Sequence, residues 1–316
     1  MRGILKALAI LPIMAGAAVA QDYPTKPVTM VVGFSAGGGM DTLARMAAEP
    51  AGAALGQQIA VENRPGAGGT IAPGYVANAE PDGYTIWLGE TAATIGPVVH
   101  GDVGYDPIES FVPIAQLAVA PLALVAGKDV PVTNIQEFID LVKANPGEYF
   151  YASPGVATLQ HLAVEALADA AGLELDAVQF QGGSPSMQAL LSGEVSFAVV
   201  SLSAARSQAE GGNVTILGVT TLDAVPGFED IQPISAVIEG FSAAPRQFVM
   251  APADTPEPAI AALREAFRTA MANEQLQADL AARGLMPTYL DGPDLAAELP
   301  GVIDMWSATA RSVLPN

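Results

Sequence analysis

Short apolar segments, loops of small residues and helical patterns follow one another in a repeated order along this chain, and this order constrains its fold most. Residues 27–32 form an apolar run typical of a buried strand, and residues 33–39 form a glycine-rich loop. A helical pattern follows over residues 40–55, where Pro50 predicts a kink or a split. The same order returns over residues 149–171. Strand–helix alternation at this spacing predicts a parallel, helix-covered sheet, and two such sets predict two α/β lobes facing a cleft.

The remaining patterns extend this interpretation over the rest of the chain. Further strands are predicted at residues 59–62, 84–88, 122–126, 177–180, 195–201, 214–220 and 248–251. Helices are predicted at about 134–145, 257–272, 274–283 and 294–312. Ser184 and Pro185 suit the N-cap and the first position of one more helix.

The composition excludes several classes of protein. The 316 residues include 33 acidic and 13 basic side chains, two histidines and no cysteine, and the net charge is −20. The absence of cysteine excludes disulfides, thiolate metal sites and cysteine nucleophiles. The negative charge argues against nucleic acid and anionic membranes, because few cations are present to neutralise phosphates. No metal-binding spacing accompanies the histidines, so we expect neither a metal nor a cofactor.

The first 20 residues have the pattern of a secretory signal peptide. Arg2 and Lys6 precede an apolar run at residues 7–19, and an A-x-A cleavage pattern ends at Ala20. A membrane anchor is the alternative, but the run is shorter than the roughly 20 residues that a span needs. We therefore expect cleavage after Ala20 and export to the periplasm.

Three loops of small residues are the candidates for ligand binding. They occupy residues 33–41, 89–94 and 153–158, and each follows a predicted strand. Ligands of open α/β sheets bind beyond the carboxyl ends of strands, where free N–H groups of helix N-termini favour anions. The first loop lacks the Lys-Ser/Thr pair of a P-loop, and Ile71 interrupts a dinucleotide fingerprint. A carboxylate is therefore the expected ligand, although ordinary strand–helix turns have the same composition.

Other residues offer alternative chemistry. Ser35 lies in a G-x-S-x-G segment between a strand and a helix, which a secreted serine hydrolase would use with His100 or His161 as base. Because basic residues are scarce, Arg206 and Arg246 are candidates to clamp a second carboxylate, and surface ion pairs are the alternative for both.

Ordered motifs along the chain resemble the substrate-binding receptors of tripartite tricarboxylate transporters, the Bug or TctC type. The most specific is V-E-N-R-P-G-A-G-G at residues 61–69, preceded by L-G-Q at 55–57 and G-G-G-M-D at 37–41. Further matching segments are Y-P-T-K-P-V at 23–28, P-D-G-Y-T at 81–85, Y-D-P at 105–107, F-V-P-I at 111–114, T-L-Q-H-L-A at 158–163 and A-P-A-D-T-P at 251–256. The match covers essentially the whole chain after the signal segment.

This resemblance implies a two-lobed, type II-like periplasmic-binding-protein fold of two α/β domains joined by two hinge strands, at about 121–127 and 246–252. Lobe 1 would be residues 21–120 plus 247–316, and lobe 2 would be residues 121–246. It implies a receptor rather than an enzyme. The receptor would capture a small organic acid between the lobes and deliver it to membrane permease subunits or, alternatively, act as a sensor subunit for a kinase. We expect a monomer.

The resemblance also implies which residues face the ligand. They are Phe34, Ser35, Gly37, Gly38, Asp41, Glu90, Thr91, Ala92, Ser153, Gly155, Ala157, Thr158, Gln160, Gln181, Gly182, Ser201 and Arg246. Glu90 departs from the family, in which a small polar residue is common at this position. An acid beside an anion pocket is unfavourable unless it meets a ligand amine, so an amino-acid-like or amide ligand suits Glu90 better than a tricarboxylate.

Overall fold

The computed structural model describes residues 23–180 and 183–314. The predicted signal segment lies outside this part of the chain, as do Gln181 and Gly182. Within the described residues, no helix is long and apolar enough to cross a membrane. The strands form two separate sheets, each covered by helices.

The first sheet has six strands and contains the first and the last strand of the described chain. Its strands are β1 (Val28–Val32), β2 (Ile59–Asn63), β3 (Thr85–Glu90), β4 (Phe111–Val119), β10 (Arg246–Pro252) and β11 (Met286–Asp291), in the order β11-β4-β10-β3-β1-β2. Strands β1, β2 and β3 are parallel, and β10 is antiparallel to both β3 and β4.

The second sheet has five strands from the middle of the chain. These are β5 (Leu122–Gly127), β6 (Phe150–Ser153), β7 (Asp176–Gln179), β8 (Phe197–Ser201) and β9 (Val214–Val219), in the order β7-β6-β8-β5-β9. Strand β5 is antiparallel to both β8 and β9, and the other pairs are parallel. The predicted parallel pairing is therefore confirmed for β1 with β2 and β3 and for β6 with β7 and β8, and each sheet also contains antiparallel strands that were not predicted. The chain passes between the sheets twice, at residues 120–121 and 244–245, and a strand that starts at the crossing must run against those that end there.

The helices follow the strands as the sequence patterns indicated, with some differences. They are α1 (Gly39–Leu55), α2 (Ile71–Ala77), α3 (Thr91–Thr94), α4 (Gly96–His100), α5 (Ile135–Ala144), α6 (Leu159–Ala171), α7 (Gly183–Ser192), α8 (Leu202–Glu210), α9 (Glu257–Met271), α10 (Glu274–Ala281) and α11 (Gly292–Val313). Helix α1 continues through Pro50, so the predicted split is wrong. Helix α7 begins at Gly183, so Ser184 is not its N-cap.

Two strands were not predicted from the sequence, and both contain proline. Strand β4 includes Pro113, and strand β11 includes Pro287. Proline removes a ladder hydrogen bond and normally argues against a strand. Both strands pair with register shifts, and β11 lies at the edge of its sheet, where a missing donor is tolerated.

Helix α11 packs on both sheets. Its residues Leu295, Leu299 and Ile303 join a buried cluster around Trp87 of the first sheet. Further along the same helix, Trp306 and Ala310 join the core of the second sheet. The C-terminal helix therefore connects the hydrophobic cores of the two halves.

Truncation of Trp306 tests this connection. The side chain is fully buried, so Trp306→Ala should lower the free energy of unfolding by about 3 to 5 kcal/mol. The neighbouring Met305 is exposed, and Met305→Ala should change it by less than about 0.5 kcal/mol. Urea unfolding of both variants measures the difference, and equal effects would contradict the packing described.

Candidate ligand-binding cleft

The carboxyl ends of β1 and β3 and the first residues of β10 line a cavity of about 810 Å³ at the edge of the first sheet. Its lining consists of Phe34, Ser35, Ala36, Gly37, Gly38, Gly39, Met40, Thr42, Leu43, Glu90, Ala120, Gln247, Arg283 and Leu285. We call this space the first cavity. It contains the start of helix α1, which Gly38 precedes without a side-chain cap.

The loop that opens α1 is held from behind by a buried carboxylate. One oxygen of Asp41 accepts the Gly37 N–H at 2.8 Å and the Arg45 Nε–H at 3.0 Å, and the other accepts from Asn63 at 3.0 Å. Asn63 also donates to the Phe34 carbonyl at 3.0 Å. The hydrogen bond from Arg45 is the main cause that lowers the pKa of Asp41 to about 2. Asp41 thus supports the loop and is not among the residues that line the cavity.

The N–H groups at the start of α1 remain available. Gly37 donates to Asp41 and Gly38 to Ser35, but the backbone N–H groups of Gly39 and Met40 meet no acceptor among the described residues. Both residues line the first cavity. Unpaired N–H groups at a helix N-terminus attract an anion.

A second cavity of about 580 Å³ lies at the edge of the other sheet. It is lined by Pro154, Gln160, Gly183, Ser184, Ser186, Met187, Val199, Val200, Ser201, Ala204, Ser207 and Gln208. No charged side chain is among them. Helices α7 and α8 begin here, and the hydroxyl of Ser201 caps α8 by accepting the Ala204 N–H at 3.4 Å.

The loop 153–158, which carries Pro154 into the second cavity, is fixed by His161 and Thr158. The buried His161 ring accepts the Ala157 N–H at Nδ1, at 3.0 Å, and holds Ala157 at a left-handed φ of 57°. The Thr158 hydroxyl donates to the Gly155 carbonyl at 2.8 Å. Nε2 of His161 lies 3.6 Å from Glu165, which also bonds the Tyr151 hydroxyl. His161 is therefore a positioning residue of this loop.

The two cavities adjoin each other. Ala120 lines the first cavity, and strand β5 starts two residues later at Leu122. Leu122 pairs with Ser201, which lines the second cavity. Gly284, which lies between two first-cavity residues, is packed so closely that an added Cβ would meet Ser203 of α8 at 3.0 Å. The two cavities therefore lie on either side of the chain crossing.

Two side chains of the first cavity lack partners. Glu90 ends β3 and Gln247 lies directly opposite it on β10. Gln247 is 4% exposed and its Oε1 accepts no hydrogen bond. The half-buried Glu90 carboxyl has no hydrogen bond or ion pair to any described residue, and desolvation raises its pKa to about 7.

Both candidate arginines form ion pairs with acidic side chains, the alternative that the sequence left open. Arg206 forms a fork with Asp230, both contacts at 2.9 Å, and is therefore a surface ion pair. Arg246 donates to Glu298 at 2.6 Å and lines neither cavity. Arg283 was not predicted, yet its exposed side chain lines the first cavity. The scarcity of basic residues was the signal that could have drawn attention to it.

The structure distributes the predicted ligand residues over several environments. Phe34, Ser35, Gly37, Gly38 and Glu90 line the first cavity, and Gln160 and Ser201 line the second. Asp41, Thr91, Ala92, Ser153, Gly155, Ala157, Thr158 and Arg246 line neither, and several of them support the loops. Gln181 and Gly182 lie outside the described residues. Sequence reasoning missed Gln247 and the hydroxyls of α7 and α8, since their role depends on strand register and helix placement.

The hydrolase alternative finds no support in this geometry. The Ser35 hydroxyl makes no hydrogen bond to a histidine in the described part of the chain, and His161 is engaged by Ala157 beside the other sheet. His100 lies near Gly68, where an added Cβ would meet its Nε2 at 2.9 Å.

Two α/β halves whose helix N-termini and small polar loops border one cleft define a solute-binding receptor of the periplasmic type. The family described as "Tripartite tricarboxylate transporter family receptor" matches residues 43–300 of this chain. The chain belongs to this family of substrate-binding receptors and is not an enzyme, which confirms the resemblance and the fold class predicted from the sequence.

Several known proteins are similar to this chain over most of its length. A UPF0065 protein of Bordetella bronchiseptica is 36% identical over 256 residues, covering 81% of this chain and 76% of that protein. An R. palustris protein solved with adipate is 30% identical with a TM-score of 0.75, covering 92% of this chain and 98% of that one. A TctC solute-binding protein from Polaromonas, solved without ligand, is 26% identical with a TM-score of 0.83, covering 92% and 99%.

Removal of the Asp41 carboxylate should destabilise the first loop. Asp41→Ala leaves three donors without their acceptor and should lower the free energy of unfolding by about 2 kcal/mol near pH 7. Because the folded pKa lies below the ordinary 3.8, this difference should shrink as pH falls from about 4 to about 2. Glu49→Ala, on the exposed face of the same helix, is the control and should have little effect. A pH-independent loss would contradict an ionic role.

Glu90 should make stability depend on pH in the opposite sense. Its folded pKa of about 7 exceeds the ordinary 4.5, so the protonated form stabilises the fold below pH 4.5 and this contribution is lost as pH rises towards 7. Glu90→Gln should therefore gain stability relative to the unsubstituted protein between pH 5 and 8. The gain should be at most about 3 kcal/mol, reduced by the partial exposure of Glu90. Thermal unfolding of both proteins across this pH range measures their difference in stability. A difference that does not change with pH would contradict the assignment.

Proposed function

We propose that this chain is an exported receptor that captures a small organic acid between its two halves and delivers it to the membrane subunits of a tripartite transporter. The observation that carries the proposal is the unpaired N–H pair of Gly39 and Met40 inside the first cavity. Hydrogen bonds and the helix dipole hold an anion there although the whole chain carries a net charge of −20. The adipate bound to the R. palustris relative supports a carboxylate.

We further propose that lobe 1 corresponds to residues 21–120 plus 247–316 and lobe 2 to residues 121–246, with the crossings at residues 120–121 and 244–245 as the hinge. The division of strands between the two sheets supports this. Helix α11 contacts both cores and would act as a strap across the hinge.

We infer that the conformation described here is the open one. The two cavities share no lining residue, and the TM-score is higher to the ligand-free Polaromonas structure than to the adipate complex. We infer that closure brings the hydroxyls near Ser201 and Ser207 over a ligand held at the start of α1. The closed form is the one that a membrane partner would select.

A panel of carboxylates tests the function. Residues 21–316, freed of ligand by unfolding and refolding, would be melted with di- and tricarboxylates, aromatic acids and acidic amino acids. A ligand at 100 times its Kd adds about 2.7 kcal/mol, which shifts the midpoint by a few degrees. No response from a correctly refolded protein would contradict the carboxylate receptor.

A matched pair of variants tests the role of the Gly39 N–H. Gly39 is the first residue of α1, an added Cβ meets nothing within 4 Å, and Gly38 is extended, so both alanine and proline fit this position. Gly39→Pro deletes one N–H and should weaken binding of the responding carboxylate about tenfold, because a hydrogen bond to a charged group is lost. Gly39→Ala keeps the N–H and should bind normally. Calorimetric titration that finds equal affinities would place the carboxylate elsewhere.

Export and assembly follow from the same proposal. Mass spectrometry of the protein recovered from the periplasm should show a chain that begins at Gln21, and sedimentation should show a monomer. A chain retained in the membrane with its first 20 residues would contradict cleavage after Ala20.

A further inference from the structure

The first cavity contains a pair of hydrogen-bond acceptors that a simple carboxylate does not use. Glu90 and Gln247 are directly opposed on the antiparallel strands β3 and β10, so their side chains point to the same face of the sheet with Cβ atoms about 5 Å apart. Both line the first cavity, at the same edge as the N–H groups of Gly39 and Met40. The cavity therefore combines an anion-binding end with an acceptor end.

The acceptors lack partners within the described protein. Gln247 Oε1 is buried and unpaired, which is unfavourable for an amide oxygen unless a ligand donates a hydrogen bond to it. The Glu90 carboxyl contacts no donor, and no ion pair links it to Arg283. Apolar side chains, among them Met40 and Leu43, line the same cavity.

We infer that Glu90 and Gln247 form a subsite for an N–H donor, an ammonium or an amide, carried by the same small organic acid whose carboxylate binds at the start of α1. This inference rests on the proposed function and narrows its substrate class to ω-amino or amide-bearing acids and amino acids. A dicarboxylate directed at this pair would place two acidic groups side by side at low dielectric constant. A bound metal ion is disfavoured, since no group of three metal-ligating side chains occurs in the described residues.

The subsite should also couple binding to pH. An ammonium group favours the ionised form of the Glu90 carboxyl, so a ligand that carries one should displace the proton from Glu90 when it binds. The affinity for such a ligand should therefore increase as pH rises from about 6 to 8. The other charged side chain that lines the first cavity is Arg283. Binding of a second carboxylate should instead weaken as pH rises.

Four probes that differ in one end group separate the two ends of the cavity. They are butyrate, butylamine, 4-aminobutyrate and succinate, with their five- and six-carbon homologues, titrated calorimetrically into the refolded residues 21–316 at pH 7.5. We expect the ω-amino acid of the fitting length to bind at least tenfold more tightly than the matching dicarboxylate or monocarboxylate.

Three variants assign the preference to the subsite. Glu90→Gln should weaken the ω-amino acid at least tenfold while leaving or improving the dicarboxylate. Gln247→Leu should weaken it severalfold. Glu80→Gln removes the same charge from an exposed loop and should change nothing. Thermal unfolding without ligand confirms that each variant folds.

The outcomes separate this inference from the proposed function. If carboxylates bind and Glu90→Gln affects all probes equally, the subsite is wrong and the receptor stands. If butylamine alone binds and depends on Glu90, the donor subsite stands and the carboxylate receptor is wrong. If no probe binds but an acid of the wider panel does, the subsite is wrong and the receptor stands. If neither set binds the folded protein, both are wrong.

Discussion

The structure depends on where the chain crosses between its two sheets. Within the described chain, residues 120–121 and 244–245 are the only connections between the two sheets. Every strand that borders these connections begins or ends at the cleft. Parallel strands such as β1 and β6 arrive there with their carboxyl ends, and helices leave with their N-termini. Free backbone N–H groups therefore collect at one place, which is what an anion receptor requires.

This arrangement explains how a strongly acidic protein can bind an acid. The described cavities contain one exposed arginine between them, so the favourable terms come mainly from N–H groups and hydroxyls at short range. Surface carboxylates act at distances where salt and water screen them. Residues such as Asp41 and His161 hold the loops beside the two cavities in place through hydrogen bonds to backbone N–H groups.

The opposed pair of Glu90 and Gln247 gives the cleft a chemical polarity. N–H groups at the start of helix α1 can donate hydrogen bonds, and the two side chains on strands β3 and β10 can accept them. A receptor built in this way can distinguish acids by their second functional group, since an unpaired buried acceptor discriminates more strongly than a missing apolar contact.

The sequence alone determined the α/β class, the strand–loop–helix units, the family and the loops at residues 33–39 and 153–158, because apolar periodicity and glycine-rich motifs are local properties. The family resemblance also predicted Glu90 as a ligand-facing residue. Only the tertiary structure decided that β5 and β10 run antiparallel, that Pro113 and Pro287 lie in strands, and that Gln247 opposes Glu90. It also decided that Arg283 rather than Arg246 borders the cavity. Register, crossing direction and partner choice depend on contacts between residues far apart in sequence, and no local pattern encodes them.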